Sequence, residues 1–235
     1  MGAWLAAGGP PAWPTLALIV LCAVSARTAA MAFNRLVDRA IDAQNPRTAR
    51  RELPSGALAV GYARGLVLLS VAVFVGGAFA LNGLAGRLSP AVLAVLLGYS
   101  YVKRFSAAVH LVLGVALGLA PLGAWIAVRG DFSGDLAPVL LLFCTVWTWV
   151  AGFDLIYACQ DAEFDASRGL HSIPAKLGVG GALRVSRALH LLTAVSLGLL
   201  AWQAGTGPVF WVSCAAAVGL LCWEQSLVHE DDLSR

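Results

Sequence analysis

Charge is what this sequence has least of. Only 12% of its 235 residues are Asp, Glu, Lys or Arg, against 59% hydrophobic. A soluble domain carries about 25% charged and about 45–50% apolar residues, so the scarcity of charge excludes both a soluble domain and a disordered tail. A net charge of +3 also excludes a basic nucleic-acid binder, and no nucleic acid is expected as a partner. Cysteine is sparse. Cys22, Cys144, Cys159, Cys214 and Cys222 form no CxxC pair and no Cys/His ligand spacing, which argues against structural zinc and a disulfide scaffold. Four of them lie inside apolar runs as small packing residues. The N-terminus lacks the basic region of a cleavable signal peptide.

What is abundant is long apolar sequence. Mean hydropathy is +0.79, and apolar segments run over about 14–33, 60–81, 90–102, 107–128, 136–153, 188–204 and 208–223. A helix needs about 20 such residues to cross a bilayer. The runs are continuous and rich in Leu and Ala rather than alternating, which excludes a β-barrel. The expected fold is an all-α, polytopic transmembrane helical bundle of about seven spans. Residues 1–9 read as the end of a further helix, stopped by Gly8-Gly9-Pro10-Pro11. The loops alternate in charge: 34–59, 103–106, 154–187 and the tail 224–235 hold twelve of the sixteen Lys and Arg residues. The positive-inside rule puts these loops in the cytoplasm, as expected of an integral, multi-pass protein of an inner or plasma membrane.

Acids are rare, so their clustering carries information. Asn34, Asp38 and Asp42 are spaced i, i+4, i+8 and stack along one helix face. Arg27 falls on that face seven residues earlier, deep in an apolar run where an ionised side chain is expensive and usually functional. In the second cluster, Asp154, Asp161 and Asp165 lie within about 40° of one another on an ideal helix. The clusters read as an internal repeat: Asp38-x3-Asp42 is followed by Leu53-Pro54, Asp161-x3-Asp165 by Ile173-Pro174. Duplicated halves of membrane proteins often build a shared site. Like charges at i, i+4 repel, and bound divalent cations relieve that conflict. Mg²⁺ takes one or two carboxylates together with waters and substrate phosphates, so two acidic sets are expected to hold Mg²⁺ on a diphosphate. Arg27, Arg47, Arg51, Lys103 and Arg104 are the expected diphosphate-binding cations. The plain alternative is two helix ends with ordinary cytoplasmic polar residues.

At these residues the chain resembles the UbiA-type intramembrane prenyltransferases, which carry N-D-x-x-D-x-x-x-D and D-x-x-Y-A-x-x-D-x-x-x-D motifs. Asn34-Arg35-x-x-Asp38-x-x-x-Asp42 is similar to the first, with Arg35 where the family usually has Asp. Asp154-x-x-Tyr157-Ala158-x-x-Asp161-x-x-x-Asp165 matches the second in full. Arg47-Thr48, Arg51-x-Leu-Pro-x-Gly56 and Tyr101-x-Lys103-Arg104 also match. Gly169-Leu-His-Ser-Ile-Pro174 resembles the loop of the 4-hydroxybenzoate polyprenyltransferase branch.

The resemblance implies one prenyltransferase domain over residues 1–235 and a nine-helix family fold with a central cavity, of which about seven spans are present. Set beside that fold the chain reads as short of a helix at each end, and weak or no activity is expected of it as written. The implied partners are a polyprenyl diphosphate, an aromatic acceptor and the lipid bilayer, and the implied cofactor is Mg²⁺. Asn34, Asp38, Asp42, Asp161 and Asp165 are the implied metal residues. Asp154 is the catalytic candidate, orienting the acceptor hydroxyl or taking the ring proton, and Tyr157 and His171 are substrate contacts. His110 and His190 lie in apolar segments and read as core histidines. The expected reaction is polyprenyl transfer to an acceptor such as 4-hydroxybenzoate in quinone biosynthesis. The alternatives are the same chemistry on a naphthoate-type menaquinone precursor, or a membrane transporter whose charged residues line an ion path.

Overall fold

A computed structural model describes residues 1–229; the acidic tail Glu230-Asp231-Asp232, read from sequence as solvated, lies outside the described residues. The regular elements are helical: α1 (Gly2–Ala7), α2 (Trp13–Asp42), α3 (Val60–Leu81), α4 (Gly83–Val102), α5 (Val109–Arg129), α6 (Ala137–Ala158), α7 (Ala162–Ser167), α8 (Ile173–Gln203) and α9 (Pro208–Leu227). Seven of the helices are long and apolar enough to cross a membrane, the number expected from the runs. Their outward residues are apolar as well: Leu68, Leu69, Val209, Val212 and Leu220 are all exposed. Water would not tolerate so much apolar surface, whereas lipid does. Trp13 and Trp202, both exposed at helix ends, suit the membrane–water interface.

The chain forms two compact units. One comprises residues 3–101 and 123–132, the other residues 102–122 and 133 onward. In the first, α2 packs along α3. Cys22 lies buried against that seam and its thiol donates to the Phe74 carbonyl, a packing role as expected. Asn82 caps the start of α4 through the amide of Ala85 and donates to the carbonyls of Ile126 and Ala127. That cap explains a departure from the sequence reading. The gap between the apolar runs 60–81 and 90–102 reads as a loop, but α4 already begins at Gly83 and runs through Pro90.

In the second unit, α6 lies along α8. The contact is close because Gly152 has no side chain: a Cβ there would press into the His190 ring. Small residues let membrane helices approach in this way. The Gly152 carbonyl accepts from Ser186 Oγ, and Gln225 of α9 donates to both Ser186 Oγ and His190 Nδ1. His190 is thus a hydrogen-bonded core histidine, as read from sequence. Thr148 and Thr193 pair at 2.8 Å further along the same seam. Near its start α8 bends at Gly178, whose φ of 71° and ψ of 170° belong to a region that only glycine occupies readily.

Candidate functional site

The first acidic cluster closes α2. Its three residues follow one another down the last turns, and the helix ends at Asp42, four residues before Pro46. The connection that follows is tightly bonded. Thr48 Oγ donates to the Asp42 carbonyl at 3.0 Å, and the Asn45 side chain accepts from the amide of Arg47 at 2.9 Å. Asp38 and Asp42 are buried. Asn34 Nδ2 donates to Asp38 Oδ2 at 3.0 Å and reaches Ser100 Oγ at 3.4 Å. Arg51 Nη1 donates to both oxygens of Asp42, each at 3.0 Å. The structure thus brings Asn34, Asp38, Asp42 and Arg51 into one neighbourhood. Arg47 is exposed on the connection. Arg27 stands apart: α2 is unbroken from Trp13 to Asp42, so Arg27 lies about 10 Å deeper along the axis than Asn34. Arg35 buries its Nη1 with no hydrogen-bond partner among the described residues.

The second cluster departs from the ideal helix assumed for it. Asp154 is one turn from the end of α6. The backbone then tightens into a 3-10 turn over Cys159–Asp161, and Asp161, at φ −106° and ψ 7°, starts the separate short helix α7 that carries Asp165. Asp154, Asp161 and Asp165 therefore do not share one helical face as the 100° count proposed. A 3-10 turn advances about 120° per residue, and the break re-aims everything after it. Cys159, buried at the tightening, packs with Ala182, Leu183 and Val228, which accounts for it without chemistry.

Ser172, given no role from sequence, and His110, read there as a plain core histidine, both support these acids. Ser172 is buried, caps α8 by accepting from the Ala175 amide, and hydrogen-bonds to Asp165. His110, at the start of α5, sets Nδ1 2.7 Å from Asp154 Oδ2. Nothing local in the sequence announces either pairing. Lys103 and Asp161 lie within electrostatic reach of Asp165, and the Lys103 carbonyl accepts the His171 amide at 2.7 Å. His171 itself is exposed, so its backbone fixes the loop while its ring is free to meet a ligand. Arg104 is exposed beside Lys103. Tyr157 is exposed on α6, its ring 5.4 Å from that of Phe153.

The donors suit a hard cation. Asn34, Asp38, Asp42, Asp161 and Asp165 offer only oxygen ligands, the preference of Mg²⁺. Among the described residues no three His, Cys, Asp or Glu side chains converge on a closed metal cage. Mg²⁺ rarely uses such a cage and completes its octahedron with water and phosphate oxygens, so the residues present fit it.

Known proteins align over the same length. Across 225 residues the chain is 32% identical to a 4-hydroxybenzoate octaprenyltransferase of Sodalis glossinidius, covering 96% of this chain and 76% of that protein. Across 216 residues it is 35% identical to a 4-hydroxybenzoate solanesyltransferase of Synechocystis, covering 91% and 72%. Among solved structures, the apo form of a UbiA homolog from Aeropyrum pernix superposes with a TM-score of 0.90 at 38% identity, over 96% of this chain and 84% of that one. A UbiA homolog from Archaeoglobus fulgidus bound to DMAPP and Mg²⁺ shares the fold, with a TM-score of 0.71 at 18% identity over 97% and 81%. The model of the UbiA prenyltransferase family matches residues 1–235, and the chain belongs to that family of membrane-embedded transferases.

Proposed function

We propose that this protein transfers a polyprenyl group from an allylic polyprenyl diphosphate to 4-hydroxybenzoate, with Mg²⁺ as cofactor, in quinone biosynthesis. The observation that carries the reading is the duplicated carboxylate set, Asn34–Asp38–Asp42 and Asp154–Asp161–Asp165, in a family member that aligns with 4-hydroxybenzoate polyprenyltransferases over most of its length. The A. fulgidus relative bound to DMAPP and Mg²⁺ supports the choice of cofactor and donor.

Asn34, Asp38 and Asp42 on α2, and Asp161 and Asp165 at α7, are the residues that would serve as Mg²⁺ ligands. Bound Mg²⁺ supplies positive charge that neutralises the departing diphosphate. Arg47, Arg51, Lys103 and Arg104 add fixed cations for the same anion, and Arg27 supplies one at greater depth. Asp154 receives the acceptor, orienting its hydroxyl or taking the proton that leaves the ring carbon as the new C–C bond forms. Tyr157 and His171, both exposed beside these acids, contact substrate. The apolar surroundings of the helices keep water from the allylic cation. The distribution of Lys and Arg supports a cytoplasmic position for the motif-bearing loops.

The test is product identification. Membranes containing the protein are incubated with labelled octaprenyl and solanesyl diphosphates and a panel of hydroxylated aromatic acids, with Mg²⁺ or with chelator. Prenylated 4-hydroxybenzoate formed only with Mg²⁺ is expected. Exclusive prenylation of a naphthoate-type acceptor would overturn the acceptor assignment, and no prenylation of any acceptor would overturn the reaction.

A further inference from the structure

Asp154 is backed by a sealed histidine. Trp147 Nε1 of α6 donates to the Leu111 carbonyl of α5 at 3.0 Å, and Gly114 lets the two helices meet because a Cβ there would run into the Trp147 carbonyl. That packing sets His110, the neighbour of Leu111, directly against Asp154. The His110 side chain is 5% exposed and the Asp154 side chain 32%, so the carboxylate is open on one side and the ring closes the other. An ionised carboxylate only accepts hydrogen bonds, so Nδ1 of the ring carries the hydrogen and donates to Oδ2 across the 2.7 Å contact. Nε2 is buried with no hydrogen-bond partner among the described residues. This ring makes one bond, and it makes it to the acceptor-side acid.

We infer that His110 is a positioning residue for prenyl transfer. Its Nδ1–H fixes the rotamer of Asp154 through Oδ2 and leaves Oδ1 turned outward for a phenolic acceptor, whose hydroxyl it receives. A carboxylate held in one orientation needs no rearrangement when the acceptor arrives. The inference rests on the assignment of Asp154 to the acceptor and adds the residue that makes the assignment geometrically effective. The other charged groups around the acids, Asp161, Asp165 and Lys103, serve the diphosphate in this scheme, so loss of His110 acts on turnover and on the acceptor and leaves diphosphate binding alone.

The experiment compares wild type with His110→Phe, His110→Asn, Asp154→Asn and the double variant His110→Phe/Asp154→Asn in membranes, reading kcat, KM for each substrate and the thermal unfolding midpoint. Phe keeps the ring's bulk without a donor, and Asn keeps an N–H near the position of Nδ1. His110→Phe is expected to lower kcat about 10- to 100-fold, with KM for the polyprenyl diphosphate within about twofold of wild type. His110→Asn is expected to recover most of that loss, and the double variant to be no slower than Asp154→Asn alone. Wild-type turnover in His110→Phe beside a crippled Asp154→Asn would overturn the role of His110 and spare that of Asp154. Wild-type turnover in Asp154→Asn would overturn both. Equal losses in the Phe and Asn variants, or losses that track the amount of folded protein, would reduce His110 to a packing residue.

Discussion

Arg51 holds Asp42 by a single guanidinium nitrogen shared between both carboxylate oxygens, so a cation and a phosphate arriving there meet a carboxylate and a guanidinium already paired with each other. Replacing Arg51 tests what the arginine does for the anion. With a charged hydrogen bond worth about 1.5–3 kcal/mol, Arg51→Ala is expected to raise KM for the polyprenyl diphosphate about 10- to 100-fold, and Arg51→Lys to restore only part because lysine lacks the planar fork. Steady-state kinetics with varied diphosphate checks this; an unchanged KM in Arg51→Ala would remove Arg51 from the diphosphate site. What was legible in the sequence was the stacking of Asn34, Asp38 and Asp42 on one face of α2, whereas the pairing of Arg51 with Asp42 was not. His110 is 44 residues from Asp154, and its partner is chosen by the packing of α5 on α6, for which no spacing rule exists. Ser172 was hidden because it does two things at once, capping α8 and bonding Asp165.

At the level of elements, the apolar runs located the spans and misjudged their ends. Hydropathy stops where charge begins, but helical hydrogen bonding does not: α2 continues to Asp42 with the whole first acidic set, and α6 to Ala158 with Asp154. The 3-10 turn at Cys159–Asp161 was invisible because its residues carry neither Gly nor Pro; it begins at Cys159, which packs against α8. The seam between α6 and α8 is where an element-scale prediction belongs. Gly152→Val inserts bulk against the His190 ring and is expected to destabilise the fold by about 1–3 kcal/mol, read as a lower thermal midpoint in detergent. Ser186→Ala removes two interhelical bonds, to Gly152 and from Gln225, and is expected to cost about 1.2 kcal/mol at the average of about 0.6 kcal/mol per polar contact between membrane helices. A midpoint for Gly152→Val equal to wild type would mean that the close approach of α6 and α8 is not required.

For the molecule as a whole, seven spans, two acid-bearing halves and a family resemblance were readable from composition and motifs alone, and the division of the chain within α5 was not. That helix contributes residues to both compact units, a partition that hydropathy cannot see because the helix is apolar throughout. The orientation proposed from the Lys and Arg bias is open to a direct test: a single cysteine placed at Ser167 in a background without the native thiols is expected to react with an impermeant maleimide only from the cytoplasmic side, and labelling only from the opposite side would invert the topology. The central claim is that both acidic sets serve one magnesium-dependent prenyl transfer. It is tested most directly by measuring product formation in membranes for wild type, Asp38→Ala and Asp161→Ala with Mg²⁺ titrated against chelator. The account predicts product in wild type with Mg²⁺ and none with chelator, and at least about a 100-fold loss in each variant. Undiminished transfer in either variant, or in wild type stripped of divalent cations, would contradict it.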